Sequence, residues 1–164
     1  MQSILEEDRH SYEYNWLVQS KSPYLKQHET NPVNWLEWSQ VAFEKARRDG
    51  KPVFLSIGYD NCPLCEVMAR ELFEDEEFAK LLNERFISIK VDRKERPEIA
   101  QKYMSAYEKM TGQEEWPLSI FLTPDQVPLY VDTYISKESM DGKPGFKDVI
   151  TELYDKYKND PESS

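Results

Sequence analysis

The apolar positions of this chain change period several times, and each change marks out an element. Val41, Ala42 and Ala46, joined by Phe43, recur at helical spacing. Ser39 before them suits an N-cap and Gly50 after them suits a helix stop, so a helix is predicted over Gln40 to Asp49 with those four side chains inward. Lys51 to Ile57 is the short apolar run of a buried strand. Helical spacing returns from Pro63 to Phe73 through Val67, Met68 and Leu72. Asp75 then caps a helix to Glu84, with Phe78, Leu81 and Leu82 on one face. Phe86 to Val91 alternates and predicts a second strand. Pro97 opens a helix to about Met110, which Gly112 ends. Leu118 to Leu122 and Pro128 to Tyr134 read as strands. The Thr123-Pro124-Asp125-Gln126 turn between them is short enough to make them antiparallel. Beyond the break at Lys143-Pro144-Gly145, Phe146 to Tyr157 is a last helix with Val149, Ile150, Leu153 and Tyr157 inward. Upstream, Ser22-Pro23 starts a short helix, with serine as N-cap and proline at the first helical position.

This order predicts an α/β domain: a central mixed four-stranded sheet flanked by helices on both faces, with a helical N-terminal extension. Residues 16–158 form the domain, residues 1–15 an acidic and loose start, and residues 159–164 a polar tail. There is no internal repeat. The aromatic set Tyr24, Trp35, Trp38 and Phe43 is expected to be core for the extension.

Charge narrows the partners. The 164 residues carry 31 acidic against 21 basic side chains, a net charge of −10. Such a field repels nucleic acid and anionic membrane surfaces, so neither is an expected partner. No apolar run approaches the roughly 18 residues of a membrane span. The first residues, Met1 to Asp8, show neither a basic segment nor an apolar one, so the expectation is a cytoplasmic protein without a signal peptide.

The chemistry concentrates at Asn61-Cys62-Pro63-Leu64-Cys65-Glu66, which holds the two cysteines of the chain. The pair stands between a buried strand and a helix. A helix N-terminus carries partial positive charge and unpaired N–H groups, so a thiolate placed there is stabilised. Cys62, exposed at the helix start near the N–H groups of Leu64 and Cys65, is the expected nucleophile. Cys65, one turn inside and shielded, is the expected resolving thiol. A metal site needs further ligands, and only His10 and His28 are on offer, so no metal and no cofactor is expected.

Strand, C-x-x-C and helix in this order make the thioredoxin arrangement, and the chain resembles a particular group within it. Ser22-Pro23-Tyr24-Leu25, Gln27-His28, Asn31-Pro32-Val33-Asn34-Trp35, Lys51 to Tyr59, Phe73-Glu74-Asp75-Glu76, Lys90-Val91-Asp92-Arg93, Glu95-Arg96-Pro97, Thr111-Gly112-Gln113, Trp116-Pro117-Leu118 and Phe121 to Asp125 carry the likeness. They resemble the thioredoxin-like domain of the spermatogenesis-associated thioredoxin-like proteins and their bacterial YyaL-type relatives, a DsbH-like thioredoxin fold. The match covers about residues 16–135. It departs from the usual family pattern at Pro63, Leu64 and Glu66, where members have His, Trp and His, and at Glu114 and Glu115, where they have glycines. Typical members continue into a larger helical domain.

The resemblance implies a cis Pro117 facing the cysteines, with Trp116 either walling a peptide groove or filling the core. Many thioredoxins place a buried carboxylate six residues before the first cysteine, and that position is Ser56 here. Glu66 and Asp60 are the candidates to move protons or tune the thiols in its stead, or else are solvated surface acids. The segment Asp92 to Pro97 reads as a fold-stabilising ion pair bordering the site, and His28 as a packing histidine. Two functions fit. The first is a thiol–disulfide oxidoreductase that reduces a disulfide-containing protein or small thiol substrate and is reset by an external thiol reductant. The second is a thioredoxin-fold binding module without turnover.

Overall fold

The computed structural model describes residues 9–159. The predicted tail from residue 160 and residues 1–8 lie outside that range. From Arg9 onward the start of the chain is bonded to the domain. The Arg9 guanidinium donates to the Asn31 carbonyl at 2.9 Å. Asn15, fully buried, donates to the carbonyls of His28, Asn31 and Val33. A 3₁₀ turn at Trp16–Gln19 follows, then helix α1 (Pro23–Lys26), whose first turn is capped by the Ser22 hydroxyl accepting from the Leu25 N–H.

The remaining elements are α2 (Gln40–Asp49), β1 (Val53–Gly58), α3 (Pro63–Met68), α4 (Glu76–Arg85), β2 (Ile87–Asp92), α5 (Pro97–Thr111), β3 (Leu118–Leu122), β4 (Pro128–Asp132) and α6 (Phe146–Asn159). Helix α3 runs on through a π turn at Ala69–Phe73, so the predicted Pro63–Phe73 helix exists with its second half widened. The caps read from sequence are in place: Ser39 for α2, Asp75 for α4, and Gly50 and Gly112 in the left-handed conformation at two C-termini.

The strands form one mixed sheet in the order β2-β1-β3-β4. β1 runs parallel to β2, with Ser56 beside Lys90, and antiparallel to β3, with Ile57 beside Leu118. The N-terminal extension protects the β2 edge. Leu36 exchanges two backbone bonds with it, N–H to the Ser88 carbonyl at 2.9 Å and carbonyl from the Lys90 N–H at 3.0 Å.

Strand alternation sends different chemistry to the two faces. Val53, Leu55, Ile57, Ile87, Ile89, Val91, Leu118, Ile120 and Leu122 pack in one cluster with Ala42, Phe43 and Ala46 of α2 and the inner side of α5. Phe54 and Phe121 join the other cluster, with Trp35, Phe73, Phe78 and Phe146. Trp38 and Phe43 therefore pack on the α2 side, away from Tyr24 and Trp35, rather than in one core of the extension. Val41 is 68% exposed, against the expectation that it faces inward. Helix α2 turns Phe43 toward the sheet instead, and a stripe through 42, 43 and 46 leaves 41 outside.

Candidate active site

The loop from β1 to α3 places the cysteines. Asn61 takes a left-handed conformation (φ 67°), one of the few non-glycine residues that does so readily, and this turns the chain into the helix start. Cys62 is the N-cap of α3, and its Sγ accepts the Cys65 N–H at 3.3 Å. Pro63 occupies the first helical position, where its missing N–H costs no bond. Cys62 and Cys65 are joined as a disulfide with their Cα atoms 5.2 Å apart.

One expectation fails here. Cys62 is only 2% exposed, not the open nucleophile read from the sequence, and Cys65 is 5% exposed. Position at a helix start sets which N–H groups meet the sulfur but not what covers it.

The cis bond at Trp116-Pro117 is present, directly before β3. Because Leu118 pairs with Ile57, this loop and the cysteine loop emerge at the same end of the sheet. The two loops touch through Tyr59 and Trp116, edge to face with ring centroids 6.1 Å apart. Trp116 is half-buried, and Pro117 is buried. Arg93 completes the cluster. Its guanidinium lies 3.8 Å from the Tyr59 ring centroid and 4.8 Å from that of Trp116, within cation–π range of both. Its backbone N–H donates to the Gly58 carbonyl at 2.8 Å, which fixes the end of β2 against the end of β1.

Of the two acids expected to tune the thiols, Glu66 lines the cleft beside Cys65. Asp60 and Glu66 are both exposed. Asp60 accepts from the Gln27 amide at 3.0 Å and so ties the cysteine loop to the residue after α1. Within the segment expected to hold an ion pair, Asp92 makes none among the described residues: its carboxylate accepts the Ser22 hydroxyl at 2.6 Å and the Lys94 N–H at 2.9 Å. The cation at this corner, Arg93, stacks on rings instead, and Arg96 pairs with Glu98 at 2.9 Å.

A cleft of about 160 Å³ opens beside Cys65, lined by Tyr24, His28, Tyr59, Asn61 and Glu66 among others. Gly58 lies close to two of the residues beside it, Tyr24 and Cys65. A methyl group there would lie 2.5 Å from the Tyr24 hydroxyl oxygen and 2.7 Å from Cys65 Sγ, so glycine is what lets both approach the strand. Burial, with Asp92 and Asp60 adding to it, holds the Tyr24 hydroxyl above its usual range. His28 packs edge to face on Tyr24 at 5.2 Å. Burial first, and the Lys90 charge second, push its pKa down to about 3, which fits the packing histidine expected.

Lys90 is the residue that sequence reasoning missed. It is 2% exposed, and its Nζ donates to Ser56 Oγ at 3.2 Å. The ammonium sits 4.7 Å from the Trp35 ring, 4.9 Å from Phe73 and 5.5 Å from Tyr24. Burial lowers its pKa to about 7. A lysine within an alternating strand reads as solvent-facing. The signal that could have found it is the pairing of a polar column in β2 with an aromatic N-terminal extension long enough to cover it.

A mixed sheet in this order, with a disulfide-linked C-x-x-C at the head of a helix and a cis-proline loop alongside, defines a thioredoxin-fold protein with a dithiol–disulfide pair. The chain belongs to the DsbH-type thioredoxin family described as "Protein of unknown function, DUF255", whose model matches residues 14–164. It is 45% identical over 149 residues to "Uncharacterized protein B0495.5" of Caenorhabditis elegans, covering 91% of this chain and 20% of that protein. It is 42% identical over 144 residues to "Spermatogenesis-associated protein 20" of Homo sapiens, covering 88% of this chain and 18% of that protein. The chain thus spans about a fifth of the length of these curated relatives. Among solved structures it is similar to "DsbH Oxidoreductase" (TM-score 0.54, 17% identity, 86% of this chain and 92% of that one). It is also similar to a thioredoxin from Thermus thermophilus (TM-score 0.52, 20% identity, 76% and 86%). At these identities the likeness is one of fold.

Proposed function

We propose that the chain is a thiol–disulfide oxidoreductase that reduces disulfides through Cys62 and Cys65. The observation that carries this reading is the disulfide itself, spanning the N-cap and first turn of α3 at the same sheet end as cis-Pro117. In the reduced protein the Cys62 thiolate receives the Cys65 N–H and the positive end of the helix, which favours the charged form. That thiolate attacks one sulfur of a substrate disulfide, a mixed disulfide forms, and one substrate thiolate leaves. Cys65 then attacks Cys62 Sγ, the second substrate thiolate leaves, and the internal disulfide is restored. An external thiol reductant resets the pair. In a reducing cytoplasm, the compartment we favour, this is the direction of turnover. The Tyr59–Arg93–Trp116 cluster forms the wall against which substrate lies.

A second reading, a binding module without turnover, draws support from the burial of both sulfurs. Insulin reduction by dithiothreitol separates the two. The protein is expected to accelerate it and Cys62→Ser to lose the acceleration; equal rates with and without the wild-type protein would reject the oxidoreductase.

A further inference from the structure

The buried polar groups on the cysteine side of the sheet form one connected set. Ser56, Lys90 and Asp92 share a face with Gly58, because they alternate with the aliphatic residues of β1 and β2. Gly58 meets both Cys65 Sγ and the Tyr24 hydroxyl. The Tyr24 ring in turn meets the Lys90 ammonium, which is bonded to Ser56. A cation therefore occupies the buried place behind the dithiol, one tyrosine away from Cys65, with no ion pair to a carboxylate among the described residues. Aromatic faces and one hydroxyl are modest compensation for a fully buried ammonium, so its charge is poised to respond to a new anion nearby.

We propose that Lys90 supplies the counter-charge for the dithiol: its ammonium stabilises the thiolate that forms when the Cys62–Cys65 disulfide opens. Lys90 touches neither sulfur and is a positioning residue that acts through the field across Tyr24. An external dithiol gives two electrons and forms its own disulfide, releasing two protons. The Cys62–Cys65 bond breaks. One proton goes to one of the two sulfurs and the other to solvent, leaving one thiolate near the Lys90 ammonium. This is the reverse of the usual buried carboxylate, an anion that opposes thiolate formation.

Around Lys90 stand Tyr24 and His28 from the extension, with Trp35, Phe73 and Ser56, while Asp92 of its own strand and Lys21, Glu37, Glu95 and Arg96 line a cavity that Lys90 also borders. Tyr24 is raised and His28 is lowered to about 3, so neither changes charge between about pH 6 and pH 9. Lys90 and the sulfurs are the groups left to respond to each other. By reciprocity the thiolate must raise the lysine's proton affinity as much as the lysine lowers the thiol's.

The proposal rests on the dithiol being the redox site, but its tests need only that dithiothreitol opens the pair, so they stay readable even if insulin turnover fails. Lysine side-chain NMR of the wild-type protein should give a Lys90 titration midpoint higher by at least about half a unit in the dithiol than in the disulfide form. Thiolate absorbance of reduced Lys90→Met should show a thiol midpoint raised by a similar amount. Coincident Lys90 midpoints in the two redox states would overturn the proposal without recourse to any variant. So would an unmoved thiol midpoint in a folded Lys90→Met protein.

Discussion

The two faces of the sheet are both buried, yet they are built from different chemistry. Toward α2 and α5 every strand residue is aliphatic: Val53, Leu55, Ile57, Ile87, Ile89, Val91, Leu118, Ile120 and Leu122. Toward α3, α4, α6 and the N-terminal extension the same strands present Phe54, Phe121, Ser56, Ser88, Lys90, Asp92 and Ser119. The aliphatic face needs only packing. The other face carries the cysteine helix, and its polar groups need partners; the Ser88 and Ser119 hydroxyls find none among the described residues. Polar groups are costly to bury, so their collection on one face marks where the chemistry lies.

Substitutions on the two faces should therefore fail differently. The largest effect expected is Ile120→Ala on the aliphatic face, where the side chain is fully buried. It should cost about 2–5 kcal/mol of stability in denaturant unfolding while leaving the thiol midpoint of the reduced protein in place. A shifted thiol midpoint would show that the faces are not separable.

Next is the pH response of the polar face. His28 has its pKa lowered to about 3 from 6.5, so the unfolded chain binds more protons between those values. Its contribution is intact above pH 6.5 and is lost as pH falls toward 3. Comparing unfolding at pH 7 and pH 4, wild type should lose about 2–3 kcal/mol more than His28→Gln. Equal losses would mean that His28 is not buried neutral.

Gly58→Ala should follow, at about 1–3 kcal/mol, because the added methyl meets the Tyr24 hydroxyl and Cys65 Sγ. Unlike Ile120→Ala it should also change the equilibrium of the disulfide with glutathione; an unchanged equilibrium would separate the glycine from the dithiol. The smallest effect expected is that of Trp116→Ala. It removes one of the two rings under Arg93, worth about 0.5–1 kcal/mol. A several-fold rise in KM for insulin with the thiol midpoint unmoved is expected; a changed midpoint with unchanged KM would remove Trp116 from the substrate wall.

The aliphatic face was legible in the sequence, and the polar face was not. Helix bounds followed from local signals such as Ser39, Gly50, Asp75 and Gly112, and each cap is where its residue type belongs. The antiparallel pairing of β3 and β4 followed from the short turn between them. The burial of Lys90 is non-local: Tyr24 and Trp35 reach it from a separate segment that crosses the β2 edge. The Arg93 stack likewise joins residues from three segments of the chain. Cys62 was rightly placed at the helix start and wrongly left open, because its cover comes from tertiary packing. At Val41 and Phe43, a short helix with mixed apolar positions allows more than one inward face, and the sheet decides which is used.

The central claim is that Cys62 attacks and Cys65 resolves, and trapping tests it most directly. Reduced Cys65→Ser and Cys62→Ser proteins would each be mixed with a disulfide-linked peptide, and the covalent adduct measured by mass. The expected result is a stable mixed disulfide on Cys62 in the Cys65→Ser protein and little on Cys65 in the Cys62→Ser protein. Trapping on Cys65 alone, or on neither sulfur, would contradict that claim.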